Sequence, residues 1–271
     1  MTSTTTTTTL RATRVHVEDT GNGPTLLCLH GIGSSSASFA PQVAALAGEL
    51  RLLAWDAPGY ARSADPEADL DLDGFADAAA AVIEEYATAG PVHVLGVSWG
   101  GVIAVRLASR HPGLVRSLVL ADASRGSGTA PEKAAAMRGR AAELDSVGSA
   151  DFAAQRGPRL VSAEATDELV DRVVATMRDS IRLPGYGLAA ESMAATDLTP
   201  ELAAIDTPTL VLCGDQDQVT GITESQALAG GIPDAVLVTL RGAGHLANQE
   251  SPEAFNAWLS SFVGIVERLY G

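Results

Sequence analysis

The sequence predicts an α/β fold in which a mainly parallel sheet is flanked by helices. Three observations support this fold class. Short apolar runs alternate along the chain with patterns typical of helices. Some runs, such as residues 25–29, are apolar throughout, as expected for a strand whose two sheet faces are both covered. The alternation of strand-like and helix-like segments stops over residues 124–200, where only helical patterns occur, and it resumes at residue 209. This indicates a helical insertion in one α/β core.

The predicted strands rest on short runs of apolar and β-branched residues. They cover residues 13–17, 25–29, 52–55, 92–97, 118–121, 209–213 and 236–240. The predicted helices rest on apolar residues that recur every three or four positions between Gly and Pro boundaries. They cover residues 42–50, 71–87, 100–109, 131–144, 150–155, 167–181, 187–195 and 252–269. We therefore expect a core of residues 1–123 and 201–271, with a helical cap of residues 124–200 inserted in it.

Composition limits the function classes. The 271-residue chain is 46% hydrophobic, enough to bury a large core, and its formal charge is −15. An acidic surface disfavours binding to nucleic acids and to anionic membranes. The sequence shows no secretory signal and no apolar run long enough to span a bilayer. We expect a cytoplasmic monomer or homodimer that acts on a small molecule.

Two further features concern the cysteines and the N-terminus. Cys28 and Cys213 each lie in an apolar run, which is typical of buried reduced thiols. The threonine-rich start is either a disordered tail or part of a first strand, because threonine suits strands. We expect disorder up to about Thr8.

The segment Gly96-Val97-Ser98-Trp99-Gly100 follows a predicted strand and precedes a predicted helix. This is the G-x-S-x-G pattern in the context that a nucleophile elbow requires. Ser98 would turn sharply there, and side chains at the flanking glycines would collide with neighbouring backbone. The N-terminus of the following helix favours a developing oxyanion. Ser98 is the predicted nucleophile.

The segment His30-Gly31-Ile32-Gly33 directly follows the strand at residues 25–29. A glycine-rich loop at that place can direct a backbone amide into the space above the elbow. The predicted oxyanion donors are the amides of Ile32 and Trp99. His30 is interpreted as an anchor of this loop rather than as a catalytic base.

His245 follows the last predicted strand, at the strand ends where α/β active sites collect, and is the predicted general base. Two acids compete to orient it. Asp217 lies just past the strand at residues 209–213, and the chain order Ser98, Asp217, His245 matches that of α/β-hydrolase triads. Asp122 ends the preceding strand and is the alternative.

Together these motifs, with Asp56-Ala57-Pro58-Gly59-Tyr60, resemble the α/β-hydrolase superfamily over essentially the whole chain. The resemblance implies a sheet of up to eight strands, in which the strands bearing Cys28 and Cys213 are not neighbours. Pro184-Gly185-Tyr186 and the passage through Thr196-Asp197-Leu198 to Pro208 are similar to 3-oxoadipate enol-lactonase-like hydrolases. The sequence departs from that group at two positions, because Ala61 stands where glycine is usual and Phe39 stands where tryptophan is common. A tryptophan directly after the nucleophile, as at Trp99, is more similar to intracellular polyester depolymerases and prolyl aminopeptidases.

The predicted function is hydrolysis of a small carboxylic ester or lactone through an acyl-enzyme, with no metal and no organic cofactor. One alternative is a carbon–carbon bond hydrolase of the ring-cleavage-product type, and another is a prolyl-type aminopeptidase. The cap is expected to select the substrate. Its predicted substrate-binding residues are Met137, Phe152, Met177, Tyr186 and Met193. Arg125, Arg138, Arg156 and Arg159 are candidate partners for a substrate carboxylate, or else ion-paired surface residues.

Overall fold

The computed structural model describes residues 4–10, 13–87 and 89–270. Its described residues form a sheet of eight strands in the order β1-β2-β4-β3-β5-β6-β7-β8. The strands are β1 (Thr4–Leu10), β2 (Thr13–Gly21), β3 (Thr25–Leu29), β4 (Arg51–Asp56), β5 (Val92–Val97), β6 (Val115–Ala121), β7 (Thr209–Gly214) and β8 (Val236–Leu240). The β1–β2 and β2–β4 pairs are antiparallel and the remaining pairs are parallel. The predicted mainly parallel sheet is confirmed.

Helices connect the parallel strands, as crossovers between parallel neighbours require. They are α1 (Ala40–Leu46), α2 (Leu72–Tyr86), α3 (Trp99–Arg110), α4 (Pro131–Arg156), α5 (Asp167–Ser180), α6 (Gly185–Ala194), α7 (Gly221–Gly231), α8 (Ala247–Glu250) and α9 (Pro252–Tyr270). Short 3₁₀ turns lie at Ser36–Phe39, Pro112–Leu114, Gly157–Leu160 and Leu202–Ala204. Within the described ranges, no helix is both long and apolar enough to cross a membrane.

The central strands are apolar along their whole length because both faces of the sheet are covered. On β3, Leu27 belongs to a buried cluster with Phe75 of α2, whereas Leu26 belongs to a second cluster with Phe255 of α9. Alternate side chains of one strand thus enter two separate cores. Cys28 also enters the second core, and both cysteines are free and buried.

Between β6 and β7 the described chain forms no strand and instead contributes α4, α5 and α6. Side chains of α4 and α6 join the cluster that contains Phe75. Backbone contact is close where α6 begins, because a Cβ on Gly59 would lie 2.5 Å from Cα of Gly185. The indole Nε1 of Trp99 also donates to Oγ of Ser192 at 3.1 Å. This helical segment therefore packs directly against the end of the sheet where β5 meets α3.

The structure differs from the sequence predictions in several places, and helices α7 and α8 were not predicted. Residues 4–8 belong to strand β1, paired with β2, so the expected disorder there is wrong, and residues 1–3 lie outside the described residues. The β-branched threonines extend a sheet whose edge would otherwise end at β2. Strand β2 also runs on to Gly21. The two helices predicted over residues 131–155 form one element, α4, interrupted at Gly148 by a φ of 77°.

A buried carboxylate at the carboxyl end of β4 holds the loop that follows β3. The Asp56 side chain is fully buried and accepts from the Ser36 amide at 2.9 Å and from Nε of Arg62 at 2.9 Å. The next residue, Ala57, donates its amide to Nε2 of His30 at 3.0 Å. Burial by itself raises the pKa of Asp56, but the Arg62 and Ser36 contacts hold it below its ordinary value.

Arg62→Met should destabilise the fold by about 1–3 kcal/mol at pH 7, because it leaves a buried charge uncompensated. The value is reduced because Arg62 is 47% exposed and solvent screens its charge. A carboxylate whose folded pKa is depressed stabilises the fold above its unfolded pKa, near 4, and loses that contribution as pH falls. The cost of the substitution should therefore shrink between pH 7 and pH 4.

Urea denaturation of both proteins at the two pH values measures this effect. Arg172→Met removes an equal charge from an exposed position and should be close to neutral. A loss for Arg62→Met that is the same at both pH values would contradict the role given to Asp56.

Candidate active site

Ser98 lies at the junction of β5 and α3, in a backbone conformation that few side chains adopt. Its φ is 53° and its ψ is −116°. A Cβ on Gly96 would lie 2.4 Å from the Gly100 carbonyl oxygen, and one on Gly100 would lie 2.0 Å from the Leu29 carbonyl oxygen. No side chain fits at either position, which is why glycine flanks the turn at the two positions that the sequence pattern marks.

The loop after β8 brings His245 to the Ser98 hydroxyl. Nε2 of His245 lies 2.9 Å from Oγ of Ser98, and Nδ1 lies 3.1 Å from Oδ2 of Asp217. An ionised carboxylate only accepts, so Nδ1 carries the proton and Nε2 accepts from the serine hydroxyl. This is the tautomer that a general base for Ser98 requires.

Asp217 follows β7 in a turn that satisfies its carboxylate. The Val219 amide donates to it at 2.7 Å, and Oγ1 of Thr220 donates at 2.6 Å. Burial opposes ionisation, but the contacts with His245 and Thr220 hold the pKa of Asp217 well below its ordinary value. Burial also lowers the pKa of His245, yet the hydrogen bond and charge of Asp217, with the charge of Asp122, raise it above its ordinary value. The pair is arranged to stabilise a protonated imidazole.

Asp122, the alternative acid, holds the two loops together instead of contacting the imidazole. It is fully buried at the end of β6, with a φ of 46°. Its carboxylate accepts from the Gly214 amide at 2.8 Å and from the Ala247 amide at 3.1 Å. Gly214 precedes Asp217 and Ala247 follows His245, so one carboxylate connects the segments that carry both. Burial raises the pKa of Asp122 to about 7.

The two predicted oxyanion donors lie on either side of Ser98. Trp99 is the first residue of α3, where a helix leaves its amides without intrahelical partners. Gly31 packs against the serine, since a Cβ there would lie 3.3 Å from the Ser98 Cβ, and Ile32 lines the same cavity. In the described part of the chain, the amides of Ile32 and Trp99 donate to no other group. Both are free to receive a negatively charged oxygen.

His30 fixes the loop that carries Ile32. Its Nδ1–H donates to the Gly31 carbonyl oxygen at 2.8 Å, while Nε2 accepts from the Ala57 amide. Both ring nitrogens are thus occupied, and burial lowers the pKa of His30, so it is neutral. It anchors the loop and is placed neither to take a proton from Ser98 nor to bind a metal.

A cavity of about 760 Å³ opens above Ser98 and His245, between the sheet end and α4–α6. Four of the five predicted substrate-binding residues line it: Met137, Met177, Tyr186 and Met193. Phe152 does not. It is fully buried and packs edge-on against Tyr186, with ring centroids 5.3 Å apart, so it supports the wall from behind.

The basic residues of this cavity were only partly found from the sequence. Three of the four arginines predicted from the sequence as partners for a substrate carboxylate form ion pairs within the protein. The pairs are Arg125–Glu224, Arg138–Glu191 and Arg156–Glu143. Arg159, the fourth, lines the cavity. Arg140 also lines it but was not predicted from the sequence. Arg140 lies three residues after Met137 and seven after Lys133, on one face of α4. That spacing is the signal that could have identified it.

Three buried side chains, Asp122, Cys213 and Asp217, place ligand atoms within 4.8 Å of one another. Hydrogen-bond donors already occupy both carboxylates. Burial raises the pKa of the Cys213 thiol to about 11, so it stays protonated near neutral pH. We interpret the group as part of the hydrogen-bond network and not as a metal site.

Residues 26–258 match the family model described as the alpha/beta hydrolase family. The chain is 26% identical to 3-oxoadipate enol-lactonase 1 of Acinetobacter baylyi over 256 residues, 93% of each chain. It is 30% identical to the 2-hydroxy-6-oxononadienedioate/2-hydroxy-6-oxononatrienedioate hydrolase of Cupriavidus pinatubonensis, covering 93% of this chain and 91% of the relative. A thermophilic esterase from Thermogutta terrifontis superposes with a TM-score of 0.87 at 26% identity, covering 98% of this chain and 99% of the esterase. The predicted resemblance to enol-lactonase-like hydrolases is confirmed.

Asp217→Asn should lower the pKa of His245, because it removes both the hydrogen bond to the carboxylate and its charge. Asp122→Asn is the matched control, since it removes a buried carboxyl group that acts on His245 only through space. Its effect on the His245 pKa should be smaller. NMR titration of the imidazole nitrogens, with circular dichroism to verify folding, gives both values. If the pKa of His245 fell further in Asp122→Asn than in Asp217→Asn, Asp122 and not Asp217 would be the acid that orients the imidazole.

Proposed function

The chain belongs to the alpha/beta hydrolase family, and from this premise we propose that it is a serine hydrolase of small carboxylic esters or lactones. The observation that carries the proposal is the Ser98 hydroxyl, 2.9 Å from Nε2 of His245 and open to the cavity. A serine beside a correctly oriented histidine is the arrangement that nucleophilic acyl transfer needs. Serine, histidine and aspartate supply nucleophile, base and orienting acid, so the reaction uses no metal and no organic cofactor.

In the first half of the proposed reaction, Oγ of Ser98 attacks the carbonyl carbon of the substrate while Nε2 of His245 takes the hydroxyl proton. Asp217 stabilises the imidazolium that forms. The carbonyl oxygen becomes an oxyanion between the amides of Ile32 and Trp99. As the tetrahedral intermediate collapses, the C–O bond to the leaving alcohol breaks and His245 gives that oxygen the proton. An acyl-enzyme remains on Ser98.

In the second half, His245 removes a proton from a water molecule, and the hydroxide attacks the acyl carbon. The oxyanion forms between the same two amides. Collapse releases the carboxylic acid and returns the proton to Ser98. For a lactone, the alcohol and the acid are two ends of one product.

We assign residues 124–200 the role of a cap that selects the substrate without supplying a catalytic group. Helices α4–α6 contribute Met137, Met177, Tyr186 and Met193 to the cavity wall, whereas Ser98, Asp217 and His245 all belong to the sheet ends. A wall of this kind excludes water and strengthens the oxyanion contacts beneath it. Such contacts discriminate among substrates by about 1–3 kcal/mol each.

Hydrolysis of a carbon–carbon bond is a second candidate, favoured by the 30% identity to the Cupriavidus enzyme. The same serine, histidine and amides would act on a ketone. Parallel assays of esters, lactones and a vinylogous β-diketone distinguish the two. Turnover of the diketone without turnover of any ester or lactone would favour carbon–carbon bond hydrolysis over ester or lactone hydrolysis.

An aminopeptidase is disfavoured by the cavity. A substrate ammonium needs an available carboxylate, yet Glu224 is the one acid that lines the cavity among the described residues, and it already pairs with Arg125 and Lys133. Three other acidic residues of the segment 124–200, Glu164, Glu168 and Glu191, are not part of the wall.

Ser98→Ala should lower the turnover of 4-nitrophenyl butyrate by about a million-fold, because members of such a triad act as a unit. Ser225→Ala is the matched control. Ser225 is fully buried and lies outside the cavity. The control should stay close to wild type. Activity in Ser98→Ala within about tenfold of wild type would remove Ser98 from the mechanism.

A further inference from the structure

The loop that carries His245 contacts the cap on both sides of the histidine. The Leu246 amide donates to the Leu160 carbonyl oxygen at 3.1 Å. Gly244, on the other side, packs so closely on residues 160–162 that a Cβ there would lie 2.6 Å from their backbone. All three residues of this cap segment also line the cavity. The segment that borders the cavity therefore also borders the proposed general base.

One carboxylate connects the histidine loop to this cap segment. Glu250, the last residue of α8, accepts from the Gly244 amide at 2.7 Å. It also accepts from the Ser162 amide at 3.1 Å and from the Ser162 hydroxyl. All three donors are uncharged groups, and two of them belong to the cap. Glu250 thus bridges the cap and the residue directly before His245.

The bridge suits a carboxylate of this length. An ionised carboxylate accepts through both oxygens, so it can satisfy three donors from two segments at once. Glutamine has a single acceptor oxygen, and its NH₂ group would face a donor that needs an acceptor. Aspartate keeps the charge but is one methylene shorter, so it would not span the same distance. The two substitutions separate the charge of Glu250 from its reach.

The histidine loop is also held from the side of the sheet, where the Asp122 carboxylate accepts from the Ala247 amide at 3.1 Å. One carboxylate thus fixes the loop to the core, and Glu250 fixes it to the cap. Within the described residues, Glu250 is not part of the cavity wall, and it is half-buried. A loop fixed from one side alone has more freedom, and misplacing a catalytic group by about 1 Å can cost about a hundredfold in rate.

We propose that Glu250 is a positioning residue, which aligns His245 with Ser98 by fastening the histidine loop to residues 160–162 of the cap. Glu250 contacts no substrate and takes no proton. The cap then has a second role besides substrate selection, because its contact with the loop sets the position of the base. This inference rests on the proposed ester or lactone hydrolysis and adds a residue on which that reaction depends.

The kinetic test uses 4-nitrophenyl butyrate. Glu250→Gln should lower kcat by about tenfold to a hundredfold. KM should change by less than about twofold, because Glu250 is not part of the cavity wall. Glu250→Asp should show a similar loss although it keeps the charge. Ser162→Ala removes one donor from the cap end of the bridge and should lower kcat less.

Glu253→Gln is the matched control, because Glu253 is exposed, lies outside the cavity and carries the same charge three residues further on. It should keep the wild-type kcat. A wild-type kcat in Glu250→Asp would assign the effect to charge and would overturn the positioning role. A raised KM with an unchanged kcat in Glu250→Gln would place Glu250 in substrate binding and would also overturn it.

An NMR titration of the imidazole, which needs no substrate, separates this inference from the proposed catalysis. Burial lowers the pKa of His245, the hydrogen bond and charge of Asp217 with the charge of Asp122 raise it, and the charge of Arg140 lowers it. The hydrogen bond to Asp217 depends on where the imidazole lies. Displacing the loop should therefore return this raised pKa toward its ordinary value, a fall of about 0.5 in Glu250→Gln and in Glu250→Asp.

A residue that only stabilises the fold would leave the His245 pKa unchanged in a folded variant. Where circular dichroism shows that a Glu250 variant does not fold, Ser162→Ala decides, and an unchanged kcat and His245 pKa in that variant would overturn the bridge. If wild type hydrolysed no ester but the pKa fell in both Glu250 variants, the proposed function would fail and the positioning role would stand. An unchanged pKa in both would overturn the positioning role, whatever the catalytic result.

Discussion

The strained backbone of Ser98 is the constraint on which the site depends. A positive φ at a serine is unfavourable, and it persists here because the strand, the turn and the helix pack too closely for any alternative. The absence of side chains at Gly96 and Gly100 permits that packing. In return, the turn presents Oγ of Ser98 to the cavity and leaves the Trp99 amide unpaired beside it. The proposed nucleophile and one proposed oxyanion donor are thus set by one local geometry.

The remaining groups come from loops, and buried polar contacts fix these loops at the carboxyl ends of the strands. Asp56 and His30 hold the loop that carries the Ile32 amide. Asp122 binds amides on both sides of the site, next to the segments of Asp217 and His245. Each contact lies out of water, where the loss of a hydrogen bond leaves a buried polar group unpaired and is costly. The sheet determines where these loops begin, and the buried contacts fix the conformations of the loops.

Much of this arrangement could be predicted from the sequence, because its signals are local. The elbow and the glycine loop directly follow strands, His245 lies in the short loop after β8, and parallel strands end at one edge. The face that a cap helix turns to the cavity depends on packing between distant segments, so Arg140 was missed and Phe152 was placed in the wall instead of behind it. The role of Asp122 depends on Gly214 and Ala247, which are distant in sequence. The threonine strand depends on pairing with β2.

The central claim, that Ser98 is a nucleophile activated by His245, is tested most directly by covalent labelling. Wild-type protein treated with a fluorophosphonate should gain the mass of one adduct, and peptide mapping should place it on Ser98. His245→Ala should react far more slowly, because the hydroxyl has lost the base that takes its proton. An unlabelled wild type, an adduct on another residue, or equal labelling rates in the two proteins would contradict the account.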